Sequence, residues 1–314
     1  RLQLLLAEVL ASSVLQKSLP HFFNMRATAI ALLCLGCMGH ARRVQTRAAF
    51  NPSSTQVSQS APVSSGVPVR AGTSKMETVA DLEVLAKQLN PFVGFWDPLQ
   101  IANYDQFRKG EEASVGFLRH AELKHGRVAM AAFIGYIVQA NGFFWPGKLT
   151  LAGKTFADIS AAGSPPDQWD ALPTGGKLQI LLFIGLLEWL GEWSPALEQA
   201  GMKHYMKGGK PGSYPPLENV KPGGVRFPLN LFDPFDLQKD MTPERKEKAL
   251  LAEINNGRLA MLGIMAFLAE AKVPGSVPLL SSIVKPYAGE PMAPFTANDA
   301  SLPFVTKMLE TKIF

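Results

Sequence analysis

The sequence predicts an all-α membrane protein with three transmembrane helices, the first and third crossed with pseudo-twofold symmetry. Three observations predict it. Apolar segments stand out at Val128–Ala140, Leu178–Leu190 and Leu259–Ala269. Charge is sparse, at 18%, where soluble domains carry about 25%. And ELKHGRVAMAAFIG at 122–135 returns as EINNGRLAMLGIMA at 253–266.

The N-terminal quarter reads as targeting sequence. Residues 1–24 read as an upstream extension, because Met25 is the first plausible initiator. MRATAIALLCLGCMGHA at 25–41 has one positive charge, a short apolar core and a small-residue end, which is signal-peptide anatomy. Residues 42–75 are rich in Ser, Arg, Val and Pro, and no Asp or Glu occurs between Glu8 and Glu77. That composition reads as a plastid transit peptide. The pair looks like the two-part presequence of a plastid wrapped in extra envelope membranes, with residues 76–314 as the working domain. Cys34 and Cys37 form a C-x-x-C inside the leader-like segment. No second ligand pair accompanies them, so neither zinc nor redox chemistry is read there. The net charge of +5 comes without a long basic run, which argues against nucleic acid as a partner.

Each apolar segment is only 11 to 13 residues long, and a bilayer core needs about 20 residues of helix. Extending the first and third backwards to Glu122 and Glu253 supplies that length. Helices are expected at about 115–141, 176–193 and 244–272. The extension brings charges to the edge of the membrane, which is expensive unless they are paired. Loop charges set the orientation. Nine Lys and Arg lie between Ser194 and Leu250, but only Lys148 and Lys154 between Phe143 and Gly176. The second loop and the N-terminus therefore share one side, and the first loop shares the other with the C-terminus. Pro274 and Pro278 stop the third helix soon after Lys272.

The two copies of the repeat share Glu, Gly, Arg, Ala and Met. Small residues recur at every third position, Gly126, Ala129, Ala132 and Gly135 against Gly257, Ala260, Gly263 and Ala266. Such stripes let helices or flat ligands approach closely. FWDPLQIA at 95–102 is echoed by LFDPFDLQ at 231–238. Two similar units thus flank a different middle helix, which suggests pseudo-twofold symmetry.

Glu122 and Arg127 are five residues apart, offset by about 140° around a helix. Useful intrahelical pairs are three or four apart. Glu253 and Arg258 repeat the spacing. Crossed helices would pair Glu122 with Arg258 and Arg127 with Glu253, cancelling the charge that opposes insertion. His125 and Asn256 remain, each three residues after its Glu and able to offer a lone pair to a metal. They could equally make interhelical hydrogen bonds. A paired Glu keeps one carboxylate oxygen free. Lys124 reads as solvated on the basic side. The middle helix adds Gln179 and Glu188, and Glu188 has no Lys or Arg of its own span to satisfy it. Gln139 and Glu270 lie near the far helix ends, where interfacial water can solvate them.

ELKHGR paired with EINNGR, preceded by FWDP and FDP, resembles the signature of the chlorophyll-binding light-harvesting family over residues 92–272. The resemblance implies three transmembrane helices with the outer two locked by the Glu–Arg pairs. It implies Glu122, His125, Glu253 and Asn256 as axial ligands of chlorophyll magnesium, with Glu188 on the middle helix. Gln179 and Glu270 fall near further family ligands. Gln179, however, stands nine residues from Glu188, one more than in plant members, and Glu270 takes the place of a Gln. The late His of plant members has no counterpart, since no His follows His204. With RHAELKHGR and the two-part presequence, this resembles the fucoxanthin or peridinin chlorophyll a/c branch.

That branch implies chlorophyll a, chlorophyll c and a fucoxanthin- or peridinin-type xanthophyll in a multi-pass thylakoid protein of the plastid. Its partners would be membrane lipids, a photosystem I or II core and other antenna subunits. Such a protein performs no bond chemistry. Rigid helices hold pigments at fixed separations so that excitation hops toward a photosystem, and carotenoids along the crossed helices add absorption and quench triplets. A photoprotective member that dissipates energy would share every ligand. A di-iron carboxylate enzyme also uses Glu-x-x-His on helices, but Asn256 stands where its second His is needed and there are three helices rather than four. A transporter built on inverted repeats is weakened by the like topology of the two copies. The loop from Ser194 to Leu250 is longer than the branch requires, and nothing in its sequence assigns it a role.

Overall fold

Why these residues fold into helices is visible at their ends. The computed structural model describes residues 76–216, 240–291 and 293–310. The segments 1–24, 25–41 and 42–75, and the FDP echo at 231–238, lie outside them. Helix α1 (Val79–Leu89) opens with a capping box, in which Thr78 and Asp81 satisfy each other's backbone N–H groups. Asp97 of FWDP then accepts from the N–H groups of Ile101 (3.1 Å) and Ala102 (2.9 Å), which starts a short 3-10 turn at Ile101–Asn103. The motif is thus a backbone cap that aims the chain at the next helix.

Helix α2 (Glu111–Ala140) is the first long element. Beyond it, two short helices form the far-side loop, α3 (Phe156–Ser160) and α4 (Pro165–Asp170), each with its own capping box. The middle helix α5 (Thr174–Glu192) is followed at once by α6 (Ser194–Gln199). Helix α7 (Pro243–Lys272) is the second long element, with Pro243 at its first turn, where a missing N–H is harmless. A short α8 (Val305–Glu310) comes last. Among the described residues the fold is helical, and the only bridge of strand type joins Lys148 to Thr155.

Helices α2 and α7 pack on each other more extensively than any other pair. Gly126 and Gly257 meet at their crossing: a Cβ on Gly257 would lie 2.9 Å from the Cα of Gly126. Farther along, Gly263 makes room for the ring of Phe133. The far halves end in an apolar core of Tyr136, Phe267, Ala271, Val284 and Tyr287, with the Phe267 ring stacked on Tyr136 at 4.8 Å and on Phe133 at 5.1 Å. The C-terminal segment is tied down there. Tyr287 N–H caps α7 through Ala271 O (2.7 Å), and its hydroxyl donates to Asp170 (2.7 Å).

Helix α5 has little close backbone packing on α2 or α7. It exposes Leu182, Phe183, Ile184, Leu186 and Trp189 around its circumference. Its start is anchored: Lys177 is fully buried and donates to Asp299 at 2.7 Å. No helix among the described residues is long and apolar enough to cross a membrane. The reason lies in the composition of the three long helices. Glu122, Lys124 and Arg127 interrupt α2, Lys177 and Glu188 interrupt α5, and Glu253, Arg258 and Glu270 interrupt α7.

Candidate functional site

The crossing of α2 and α7 brings the two copies of the repeat together. Arg258 Nε donates to Glu122 Oε1 at 2.7 Å, and Arg127 Nε to Glu253 Oε1 at 2.5 Å. The two contacts are related by the pseudo-twofold, but their surroundings differ. Glu122 Oε2 also accepts from Arg119 (2.8 Å), which reaches on to Glu77 (3.3 Å). Glu122 therefore does not keep the free oxygen expected of it, although a carboxylate offers about four lone-pair sites in all. Glu253 Oε2 has no hydrogen bond among the described residues. Arg127 spends a second N–H on Gly212 O, in the segment that follows α6.

His125 is exposed, and its Nδ1 lies 2.8 Å from Ala121 O. A carbonyl only accepts, so Nδ1 carries a proton, and Nε2 makes no hydrogen bond among the described residues. This is the arrangement that prepares a histidine to bind a metal. Asn256 is also exposed, and its amide makes no hydrogen bond among the described residues. Neither residue links the two helices. Asn256 and Glu253 offer oxygen donors of the kind magnesium takes, and His125 offers a borderline imidazole nitrogen.

Glu270 requires a correction. It is 2% exposed, and its carboxylate accepts from the N–H groups of Gly275 and Val277, both at 2.7 Å, and from Ser276 Oγ at 3.4 Å. It closes the turn after α7 and is shielded from interfacial water. Gln179 is exposed on α5. Glu188 is exposed too, and its partner is Lys124, which bonds Glu188 Oε2 from α2. Lys124 is therefore paired and not simply solvated.

Beside this link, Glu192 Oε2 accepts from His204 Nε2 at 2.6 Å. The ring of Tyr205 lies between His120 (3.9 Å) and His204 (4.2 Å). Burial, then the charge of Glu192, pushes the Tyr205 hydroxyl up to about 12. Gly116 admits this turn, since a Cβ there would lie 2.7 Å from Tyr205 O. The early part of the long loop thus straps α2. On the far side, a groove of about 360 Å³ runs between α2 and α7, lined by Ala132, Gly135, Tyr136, Trp169, Ile264 and Leu268. The Tyr136 hydroxyl is buried there without a partner among the described residues. Sequence reasoning missed Arg119, although its spacing of three from Glu122 is the ordinary intrahelical pairing distance. The bond from Lys177 to Asp299 joins residues 122 apart and left no local signal.

The crossing thus joins the two copies of the repeat by reciprocal Glu–Arg pairs and leaves His125 and Asn256 exposed beside them. The chain belongs to the chlorophyll a-b binding protein family, whose pattern matches residues 82–272. It is 33% identical over 195 residues to a fucoxanthin-chlorophyll a-c binding protein of Trieres chinensis, covering 62% of this chain and 81% of the relative. A fucoxanthin-chlorophyll a-c binding protein C of Phaeodactylum tricornutum is 31% identical over 203 residues, with 65% and 85% covered. A protein D of the same kind from Macrocystis pyrifera is 34% identical over 184 residues, with 58% and 82% covered. These relatives are pigment-binding proteins and not enzymes, and this chain is not an enzyme.

Proposed function

We propose that the protein is a light-harvesting antenna of the thylakoid membrane that carries chlorophyll a, chlorophyll c and a fucoxanthin-type xanthophyll and passes excitation to a photosystem. The observation that carries this reading is His125, exposed on a locked helix pair with Nδ1–H held by Ala121 O and Nε2 without a hydrogen bond among the described residues. The proposed magnesium ligands are His125, Asn256, Glu253, Glu188, Glu122 through a remaining lone pair, and Gln179 on the exposed face of α5. Glu270 is not among them, because its oxygens already close a turn. The groove beside Gly135, lined largely by apolar side chains, suits a largely apolar ligand. Bound pigment supplies absorption and energy transfer, and the chain supplies separation, orientation and exclusion of water.

We further propose that α2, α5 and α7 span the membrane. The charges of α2 and α7 neutralise one another, which removes much of the insertion penalty. Exposed aromatics flank both ends of α2, Phe92 and Trp96 before it and Phe143, Phe144 and Trp145 after it, as at membrane interfaces. The residues before the working domain would serve import through a multi-membrane plastid envelope. The test is to isolate the protein, or refold it with a total pigment extract. Absorption, pigment extraction and fluorescence excitation should then show chlorophyll and carotenoid, with carotenoid absorption driving chlorophyll emission. A colourless, correctly folded protein would sink the reading.

A further inference from the structure

We infer that Lys124 is the charge partner that makes Glu188 a magnesium ligand, a positioning residue that the first helix supplies to a site on the middle one. This rests on the pigment-binding reading above. The single Lys or Arg of helix α5 is Lys177, which is buried against Asp299. Glu188 thus has no partner on its own helix. Lys124 bonds Glu188 Oε2, while Glu192, 3.9 Å from the same ammonium, is already taken by His204. Glu188 Oε1 has no hydrogen bond among the described residues, and the side chain is 57% exposed.

A carboxylate on the magnesium of a neutral macrocycle forms an anionic adduct, and an uncompensated charge in a membrane is expensive. The Lys124 ammonium cancels it. Since α5 has little close backbone packing on α2, the same link also sets which way Glu188 faces. The repeat supports this assignment. The position equivalent to Lys124 in the second copy is Asn255, whose amide reaches Leu89 O of α1 at 3.4 Å. The lysine occurs only in the copy that faces the middle helix.

The experiment refolds the full chain with a total pigment extract and counts chlorophylls per polypeptide, with absorption difference spectra. Glu188→Ala should lose one chlorophyll. Lys124→Met should lose the same one, with the same difference spectrum, and Lys124→Arg should retain it. The double variant Lys124→Met/Glu188→Gln should recover it, because an amide oxygen ligates without needing a counter-charge. Full pigment content and an unchanged spectrum in Lys124→Met overturn the inference, as does an unchanged Glu188→Ala. If Lys124→Met yields no folded complex, the double variant decides. Recovery supports the inference, and continued failure overturns it by assigning Lys124 to packing alone. A wild-type chain that takes up no chlorophyll overturns the antenna reading itself.

Discussion

Gly126 and Gly257 touch backbone to backbone where α2 crosses α7. A Cβ on Gly126 would lie 3.1 Å from the Cα of Gly257, and one on Gly257 would lie 2.9 Å from the Cα of Gly126. Backbone cannot swing aside as a long side chain can. Gly257→Ala should therefore destabilise by about 1–3 kcal/mol, as overpacking does, and Gly257→Leu should prevent assembly. Thermal melting of the refolded complex, followed by visible circular dichroism, measures both. A stable Gly257→Leu complex would count against this crossing point.

The two Glu–Arg locks are unequal. Arg258→Leu leaves Glu122 still paired with Arg119, whereas Arg127→Leu leaves Glu253 with no other hydrogen-bond partner among the described residues. The paired side chains are about a quarter to a half exposed, so removing one partner should cost about 0.2–1 kcal/mol. Arg127→Leu should lie at the upper end and Arg258→Leu at the lower. Arg127→Leu also loses the strap contact at Gly212 O. Melting temperatures of the two variants, compared side by side, check the order.

Ligands and structural carboxylates should separate by pigment count. His125→Ala and Asn256→Ala are each expected to lose one chlorophyll while the helices remain. Glu270→Gln should keep the full count and lose about 1–3 kcal/mol of stability, since it weakens the turn over Gly275–Val277. Pigment extraction together with a melting curve distinguishes the two outcomes. A chlorophyll missing from Glu270→Gln would restore Glu270 as a ligand.

Asp299 makes acid stability predictable. Burial raises its pKa, but hydrogen bonds from Lys177, Thr174 and the Thr296 N–H outweigh this and hold it at about 2, against an ordinary 3.8. The folded state thus binds this proton more weakly than the unfolded state. The stabilisation, about 2 kcal/mol, is fully present above about pH 4 and fades as pH falls through about 2. Asp299→Asn should abolish this pH dependence. Lys177→Met should be worse at neutral pH, by about 3–5 kcal/mol, because it leaves a buried carboxylate unpaired. Acid titration of far-UV circular dichroism for wild type and Asp299→Asn reads the difference.

The sequence alone determined the helical class, the repeat and the residues of the crossing. These signals are local: a doubled ELKHGR-type motif, a three-residue stripe of small side chains, and a five-residue Glu–Arg spacing that no single helix can satisfy. The tertiary structure alone decided which charges are shared. Arg119 takes the second oxygen of Glu122, Lys124 leaves solvent for Glu188, Glu270 turns inward to cap a loop, and Lys177 holds Asp299 from 122 residues away. Spacing along a chain fixes only the angle at which a charged group leaves its own helix. Its partner depends on which other helix, loop or turn the fold brings within about 3 Å, the reach of a hydrogen bond, and that distance is a property of the folded molecule.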